Sequence, residues 1–360
     1  MRIKHGGNIY EAAKRYGIAP GEIIDFSANI NPFGIPDSLK EAIISNIDIL
    51  ENYPDPEYES LVKSIGIYNK VDEKFVIPGN GATEVIFLII GALAPQKALL
   101  LAPTFSEYER ALRRYGSSVN YFLLKEENNF CLDKDEFLKN MKKDTDLIIL
   151  CNPNNPTGQI VERKDLIEIL EKCRESNTYL MLDEAFVEFI DNEDKVSMEK
   201  FVDRFDNLFI IKALTKFFAI PGLRLGYGLT SNTRIREKIK DIREPWTING
   251  FASIAAQTLL QDENYIFKSK EFFRDERKYL YESLKKIKEL RVYKPEANYI
   301  FFKILKGNID LKEELIKRKI LIRDCSNYVS LSKGYYRAAI RDRVSNDKLI
   351  NALKEVVYED

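Results

Sequence analysis

Histidine is almost absent from this chain of 360 residues, in which His5 is the only one. A Ser-His-Asp or Cys-His catalytic arrangement would therefore have to use a residue in the N-terminal arm. A zinc or iron site rich in histidine is excluded, and we expect no metal site. If the chain is an enzyme, another group transfers the protons, and a lysine acting with a cofactor is the obvious candidate.

Cysteine is scarce as well, and charge of one sign is not in excess. Cys131, Cys151, Cys173 and Cys325 form no paired spacing, so we expect neither a disulfide framework nor a zinc knuckle, and a reducing cytoplasm fits. The 55 basic and 56 acidic residues leave no positive surplus for nucleic acid or an anionic membrane. The longest apolar run, 85–95, is too short to span a bilayer, and the start has no apolar core of signal-peptide length.

The order of apolar and amphipathic segments predicts the fold. Apolar strands alternate with helices until about Asn232, which favours a mostly parallel, doubly wound sheet. Long charged helices and a few strands follow. We therefore predict a large α/β domain over 36–240 and a smaller α+β domain over 241–360, which the N-terminal arm, 1–35, completes. Within the second domain we predict a helix over 262–290 and a closing helix that Ser345 caps.

Polar or aromatic residues follow the predicted strands, at the edge where an open α/β sheet binds its ligands. Gly81 lies in a Gly-rich turn before a helix that starts near Thr83, and the amides of such a start can bind phosphate. Phe105 could stack on a flat heteroaromatic ring. Asn155 lies in a loop whose amides could bond to ring substituents. Asp183 would be costly to bury without a cationic partner, and a protonated pyridine nitrogen would serve.

Lys216 follows the last of these strands, 208–211, and lies between apolar residues. Burial lowers the pKa of a lysine and frees its amine to react with an aldehyde. Arg224 follows a Pro-Gly turn and could reach a phosphate. We predict that Lys216 holds pyridoxal phosphate (PLP). Taken singly, each of these residues could equally be a connector, a core aromatic, a helix cap or a surface lysine, so the prediction rests on the set.

Arginine and tyrosine supply further candidates. Arg323, Arg337 and Arg341 lie at or near predicted strands, and arginine binds carboxylate and phosphate through two parallel hydrogen bonds. Each could instead form a surface ion pair, but Arg337 lies inside an otherwise apolar strand. Tyr53 lies in a rigid turn from which it could reach a neighbouring subunit, or it is only a turn aromatic.

Together these motifs resemble the fold-type I PLP enzymes, the aspartate aminotransferase superfamily, over nearly the whole chain. The resemblance implies a homodimer with shared active sites. It implies that Lys216 binds the cofactor aldehyde, Asp183 pairs with the pyridinium nitrogen, Asn155 bonds to the ring 3-oxygen, Phe105 covers the ring, and Gly81, Ala82, Thr83 and Arg224 hold the cofactor phosphate. Tyr53 would reach the partner's cofactor phosphate, and Arg337 would bind the substrate α-carboxylate.

Within the superfamily the chain most resembles the L-threonine-O-3-phosphate decarboxylases of cobalamin biosynthesis. The opening His5-Gly6-Gly7-Asn8 and the segment 25–32 resemble their N-terminus. Phe186 stands where the aminotransferases usually carry a tyrosine that bonds to the ring 3-oxygen, and Arg341 is unusual for an aminotransferase. One departure is Ala213, where many relatives have a serine that bonds to the cofactor phosphate; Thr215 or a backbone amide would have to compensate.

The resemblance implies conversion of L-threonine O-3-phosphate to (R)-1-amino-2-propanol O-2-phosphate and CO2. The candidates that it gives for binding this small phosphorylated amino acid are His5, Asn31, Asn155, Arg323, Arg337 and Arg341. Transamination of histidinol phosphate is the alternative. An alternative of another class is a PLP-fold binding protein without catalysis, against which the intact Lys216 and Asp183 argue.

Overall fold

The computed structural model describes residues 6–307 and 309–358, which form a large central sheet, two smaller sheets and the helices around them. The strands are β1 (Ile24–Asp25), β2 (Val76–Gly79), β3 (Lys97–Ala102), β4 (Ser118–Leu123), β5 (Leu147–Cys151), β6 (Tyr179–Asp183), β7 (Leu208–Ala213), β8 (Gly226–Leu229), β9 (Leu290–Val292), β10 (Tyr299–Ile304), β11 (Ile320–Leu321), β12 (Arg323–Asp324) and β13 (Tyr335–Ala339). The helices are α1 (Ile9–Tyr16), α2 (Asp37–Ser45), α3 (Glu59–Asn69), α4 (Ala82–Leu93), α5 (Glu107–Arg114), α6 (Lys134–Asn140), α7 (Arg163–Glu175), α8 (Leu214–Phe217), α9 (Thr233–Ile242), α10 (Gly250–Leu259), α11 (Glu263–Leu284), α12 (Leu311–Lys317) and α13 (Arg343–Tyr358).

The central sheet has seven strands in the order β2-β8-β7-β6-β5-β3-β4. Strands β7, β6, β5, β3 and β4 are parallel, whereas β8 runs antiparallel to both of its neighbours. The inner strands are buried on both faces, and β5 and β7 are buried at every residue. Such strands are continuous apolar runs, which is why they stand out in the sequence. The predicted mostly parallel sheet is confirmed.

A four-stranded antiparallel sheet in the order β12-β13-β10-β9 follows later in the chain. Strand β1 pairs in parallel with β11, so residues near the N-terminus join the last third of the chain. This pairing agrees with an N-terminal arm that completes a smaller unit. The division of the chain near residues 35 and 240 stays a prediction.

Two details of the second half differ from what the sequence suggested. Ser345 is not the cap of the closing helix, because α13 already begins at Arg343. Asp342 takes that position: its Oδ1 accepts the Ser345 N–H at 3.0 Å and its Oδ2 accepts the Ser345 hydroxyl at 2.7 Å. Helix α11 ends at Leu284 instead of running on to Leu290, because Leu290 already begins β9.

Among the helices of the described ranges, none combines the length and the apolar character needed to cross a bilayer. The same ranges contain no group of three or more histidine, cysteine, aspartate or glutamate residues that could hold a metal ion.

Candidate active site

A cleft of about 480 Å³ lies where β5, β6 and β7 end. Most of the residues singled out in the sequence line it, although they come from segments far apart in the chain. These residues are Ala82, Thr83, Phe105, Asn155, Asp183, Lys216, Arg224, Arg323 and Arg337. The carboxyl edge of the central sheet and the four-stranded sheet thus meet at one site, as the strand-end argument predicts.

Lys216 lies on α8, the single helical turn that follows β7. Burial lowers the pKa of its amine to about 8, and the nearby charges of Arg337 and Arg224 act in the same direction, against Asp183. A larger fraction of the amine is therefore neutral near neutral pH than for an exposed lysine, and the neutral amine is the nucleophile. Lys216 has the properties required of an amine that attaches to an aldehyde.

Asp183 ends β6 and is almost completely buried. Its Oδ2 accepts the Tyr108 hydroxyl at 2.6 Å, and its Oδ1 accepts the Ala185 N–H at 2.9 Å. Burial raises the pKa of this carboxyl group, while the Tyr108 hydroxyl, the Ala185 amide and the charge of Lys216 act to lower it. A buried carboxylate of this kind favours a cation beside it, and a protonated ring nitrogen is such a cation.

An anion-binding corner is formed by the start of α4 and Arg224. Gly81 precedes α4 with a φ of 78°, and a Cβ atom at this position would overlap the guanidinium of Arg224. A Cβ atom on Gly226 would overlap the backbone nitrogen of Ala82. Gly81 therefore lets the arginine approach the start of α4, and Gly226 lets strand β8 approach it. A helix N-terminus beside a guanidinium fits a phosphate group.

Asn155 connects this site to the four-stranded sheet. Its Oδ1 accepts hydrogen bonds from Arg337 Nη1 at 2.6 Å and from the Tyr328 hydroxyl at 3.3 Å. Because arginine can only donate, the amide oxygen must face it, and the Nδ2 of Asn155 remains available as a donor on the other side. The second nitrogen of Arg337, Nη2, donates to the Ser27 carbonyl at 2.7 Å.

Arg323 and Arg337 lie directly opposite each other in the antiparallel pair β12 and β13. Directly opposed residues point to the same face of a sheet, with Cβ atoms roughly 5 Å apart. The guanidinium carbon of Arg323 lies 5.2 Å from the centre of the Tyr328 ring, and that of Arg337 lies 5.3 Å from the centre of the Tyr299 ring. The cleft therefore presents two guanidinium groups side by side, each against an aromatic face.

The remaining candidates lie elsewhere or cannot be placed. His5 is outside the described residues. Asn31 is buried under the Lys216 turn, where its Nδ2 donates to the Phe217 carbonyl at 2.9 Å, and Arg341 Nη1 donates to the Asp25 carbonyl at 3.0 Å. Neither is among the described residues that line the cleft. Tyr53 is 81% exposed and lies against Trp246.

The sequence alone did not identify Asn29, Tyr108 or Tyr328 as site residues, although all three line the cleft. Asn29 is 4% exposed, and neither atom of its amide has a hydrogen-bond partner within the described ranges. A buried amide without a protein partner beside a cleft can bind an ordered water or a ligand there. The available signal was the motif Asn29-Ile30-Asn31, but the motif does not reveal which of its two asparagines faces the site.

Fold and site together define a sheet-edge cleft with a reactive lysine, a buried acid and an anion corner. The chain belongs to the aminotransferase class I and II family, whose model matches residues 21–353. It is 39% identical to a threonine-phosphate decarboxylase from Salmonella typhimurium, over 98% of this chain and 96% of that protein. It is 32% identical to a histidinol-phosphate aminotransferase from Methanococcus aeolicus, over 96% of this chain and 93% of that protein.

A solved structure carries the second of these two activities in its name. The histidinol-phosphate aminotransferase from Clostridium acetobutylicum superimposes with a TM-score of 0.86 at 39% identity, covering 92% of this chain and 98% of that one. Because relatives of equal identity have different names, the choice of activity has to come from the site.

Proposed function

We propose that this chain is a PLP-dependent decarboxylase that converts L-threonine O-3-phosphate to (R)-1-amino-2-propanol O-2-phosphate and CO2, a reaction of cobalamin biosynthesis. The observation that carries the choice of substrate is the opposed pair Arg323 and Arg337 in the cleft that holds Lys216. L-Threonine O-3-phosphate has two anionic groups, a carboxylate and a phosphate, for these two guanidinium groups. Histidinol phosphate has a phosphate and no carboxylate, so it would leave one of them without an anion.

The residues present fit PLP. Lys216 would bind its aldehyde, Asp183 its ring nitrogen, and the corner of Gly81, Thr83 and Arg224 its phosphate. Phe105 and Asn155 line the same cleft, and they would supply an aromatic for the ring face and a donor for the ring oxygen. When bound, PLP supplies an electron sink for the electrons left on the substrate Cα atom, and the protein chooses which bond breaks.

The chain's own residues would select decarboxylation by orientation. The two arginines would hold the carboxylate and the phosphate so that the bond from Cα to the carboxylate stands perpendicular to the ring. Phe186 lines the cleft without a hydroxyl that could act as an additional donor. Once CO2 has left, Lys216 Nζ, with a pKa of about 8, would hold the proton that Cα receives.

The proposal is tested with purified protein loaded with PLP. One sample receives O-phospho-L-threonine, and released CO2 is measured; another receives histidinol phosphate with 2-oxoglutarate, and glutamate is measured. CO2 from the first and no glutamate from the second supports the decarboxylase, whereas glutamate without CO2 overturns it in favour of the aminotransferase. Borohydride reduction followed by mass spectrometry should find the cofactor on the peptide of Lys216. Cofactor there without turnover of either substrate would indicate the non-catalytic alternative.

The proposal includes a homodimer with shared active sites. Ile44, Ile47, Leu50, Tyr53 and Trp246 are large apolar side chains that are between 47% and 81% exposed. Tyr53 lies against Trp246, and adjoining exposed apolar side chains are typical of an interface. In this dimer Tyr53 would reach the partner's cofactor phosphate. The cysteines are free thiols, which fits the reducing cytoplasm that we propose as the location.

A further inference from the structure

Tyr328 lines the cleft, and the proposed reaction gives it no role so far. It lies in the connection between β12 and β13, the two strands that carry Arg323 and Arg337. Burial raises the pKa of its hydroxyl, so the group stays protonated and can donate a hydrogen bond. Its side chain makes two distinct contacts, one between its ring and Arg323 and one between its hydroxyl and Asn155.

The first contact is made by the ring. The guanidinium of Arg323 lies 5.2 Å from the ring centre, within the range of a cation–π interaction. Arg323 also donates from Nη2 to Asn327 Oδ1 at 2.8 Å, one residue before Tyr328. The aromatic face thus limits where this long and flexible side chain can place its charge, and with it the anion that the guanidinium binds.

The second contact is made by the hydroxyl, which also lies close enough to Arg323 for a side-chain hydrogen bond. It donates to Asn155 Oδ1 at 3.3 Å, the same oxygen that accepts from Arg337 at 2.6 Å. Two donors on one oxygen fix the orientation of the amide and direct its Nδ2 away from them. In the proposed reaction this Nδ2 is the donor to the ring oxygen of PLP. Phe186, another cleft residue, has no hydroxyl to share that task.

We propose that Tyr328 is a positioning residue that sets Arg323 through its ring and Asn155 through its hydroxyl. This inference rests on the proposed function and deepens it. Tyr328 fixes the distance between the two anion sites, and so favours a substrate whose carboxylate and phosphate are separated as in threonine phosphate. If Tyr328 only filled space, the ring would suffice and loss of the hydroxyl would have no effect. A variant that removes only the hydroxyl therefore distinguishes positioning from packing.

The test uses Tyr328→Phe, which removes only the hydroxyl, and Tyr328→Leu, which removes the ring as well. Tyr10→Phe, on α1 and 74% exposed, is the matched control. The first readout needs no substrate: the pH midpoint at which the visible absorbance of the PLP-loaded protein changes. In Tyr328→Phe we expect this midpoint to rise by up to about one unit, because a ring oxygen with a weaker donor retains more negative charge and holds a neighbouring proton more tightly.

The second readout is steady-state decarboxylation of O-phospho-L-threonine. We expect Tyr328→Phe to lower kcat and to raise KM less than Tyr328→Leu does, since Arg323 loses its contact with the hydroxyl but keeps the ring and its bond to Asn327. Tyr328→Leu should raise KM about tenfold, because the guanidinium loses its support. The control should match the parent in both readouts.

The outcomes separate the inference from the function on which it rests. Absence of CO2 from the parent protein overturns the proposed function, while the absorbance midpoint still tests the link to Asn155. An unchanged midpoint and unchanged kinetics in Tyr328→Phe overturn the inference even if decarboxylation is active. If Tyr328→Leu does not fold, the phenylalanine variant decides alone.

Discussion

Asp183 is the last residue of β6 and Glu184 follows it directly, but their side chains lie on opposite sides of the central sheet. Asp183 faces the cleft and bonds to Tyr108. Glu184 is completely buried; it accepts the Ser197 hydroxyl at 2.7 Å and the Met198 N–H at 2.8 Å. The alternation of side chains along a strand produces this division. It places a functional carboxylate and a structural one next to each other.

Replacing Asp183 by asparagine should leave the fold intact and slow turnover. The amide has the same shape, but it cannot stabilise a cationic ring nitrogen, so we expect kcat to fall by about 100-fold to 1,000-fold. The measurement is steady-state CO2 release by protein loaded with PLP, with Asp37→Asn on the exposed start of α2 as the control. A kcat within threefold of the parent would contradict the pairing.

Replacing Glu188 by glutamine should stabilise the protein at alkaline pH. Neither carboxylate oxygen of Glu188 has a hydrogen-bond partner in the described ranges, and burial raises its pKa from 4.5 to about 7. The folded protein keeps this proton where the unfolded chain has lost it. The contribution of Glu188 to the free energy of unfolding is therefore full below pH 4.5. It falls as the pH rises to about 7, by at most about 3 kcal/mol. Because glutamine does not ionise, the stability of Glu188→Gln should not show this decrease with pH.

The measurement is the melting temperature between pH 5 and pH 8. Glu199→Gln is the control with the opposite sign, because Glu199 Oε2 lies 2.6 Å from Lys212 Nζ and its removal should destabilise the protein throughout. Glu184 and Glu188 lie further from the same lysine nitrogen, at 3.7 and 3.9 Å. Parallel pH profiles for the parent and Glu188→Gln would show that Glu188 does not titrate in this window.

The rate at which protein freed of cofactor combines with PLP should depend on the ionisation of Lys216. The neutral amine reacts, so the rate should rise with pH and level off above about 8, where burial and the nearby charges have placed its pKa. Growth of the visible absorbance after mixing measures this rate. Arg337→Gln removes one of the charges that lower the pKa and should move the midpoint upward. A midpoint near that of an exposed lysine would contradict the buried environment.

Gly81→Ala should weaken PLP binding more than it destabilises the fold. The added Cβ would overlap the Arg224 guanidinium and displace it from the anion corner. Gly116→Ala is a close control, because its φ of 80° matches the 78° of Gly81 while nothing lies within 4 Å of its Cβ position. Both variants have the backbone strain, roughly 1 kcal/mol, but only the first should raise the Kd for PLP. Equal Kd values for PLP in Gly81→Ala and Gly116→Ala would show that the cofactor phosphate does not bind at this corner.

A charge on the exposed apolar surface should separate the proposed dimer. Leu50→Glu places a carboxylate on a side chain that is 65% exposed and that would be buried between subunits. We expect a monomer in analytical ultracentrifugation and a loss of decarboxylation, since Tyr53 could no longer reach the partner. Ile67→Glu, at a position 70% exposed on α3, serves as the control and should remain dimeric. If both variants remain dimeric, Leu50 does not lie in the interface.

The sequence predicted those parts of the site that depend on strand ends. Asp183 ends one buried strand and Lys216 follows the next, and the parallel sheet brings such ends together whatever the loops do. It could not place residues whose direction depends on loop geometry. Asn29 faces the cleft while Asn31 lies under the Lys216 turn, and Tyr328 reaches the site only because β12 and β13 pair. Local pattern carries no information about such tertiary pairing.

The hydrogen bond from Arg337 to the Ser27 carbonyl joins two residues that are 310 positions apart. Strand β1, which ends just before Ser27, likewise pairs with β11, near the end of the chain. The central sheet uses no residue beyond β8, whereas this wall of the cleft cannot close until Arg337 has been synthesised. A chain that stops before Arg337 would therefore contain every residue of the anion corner and lack the arginine that closes this wall.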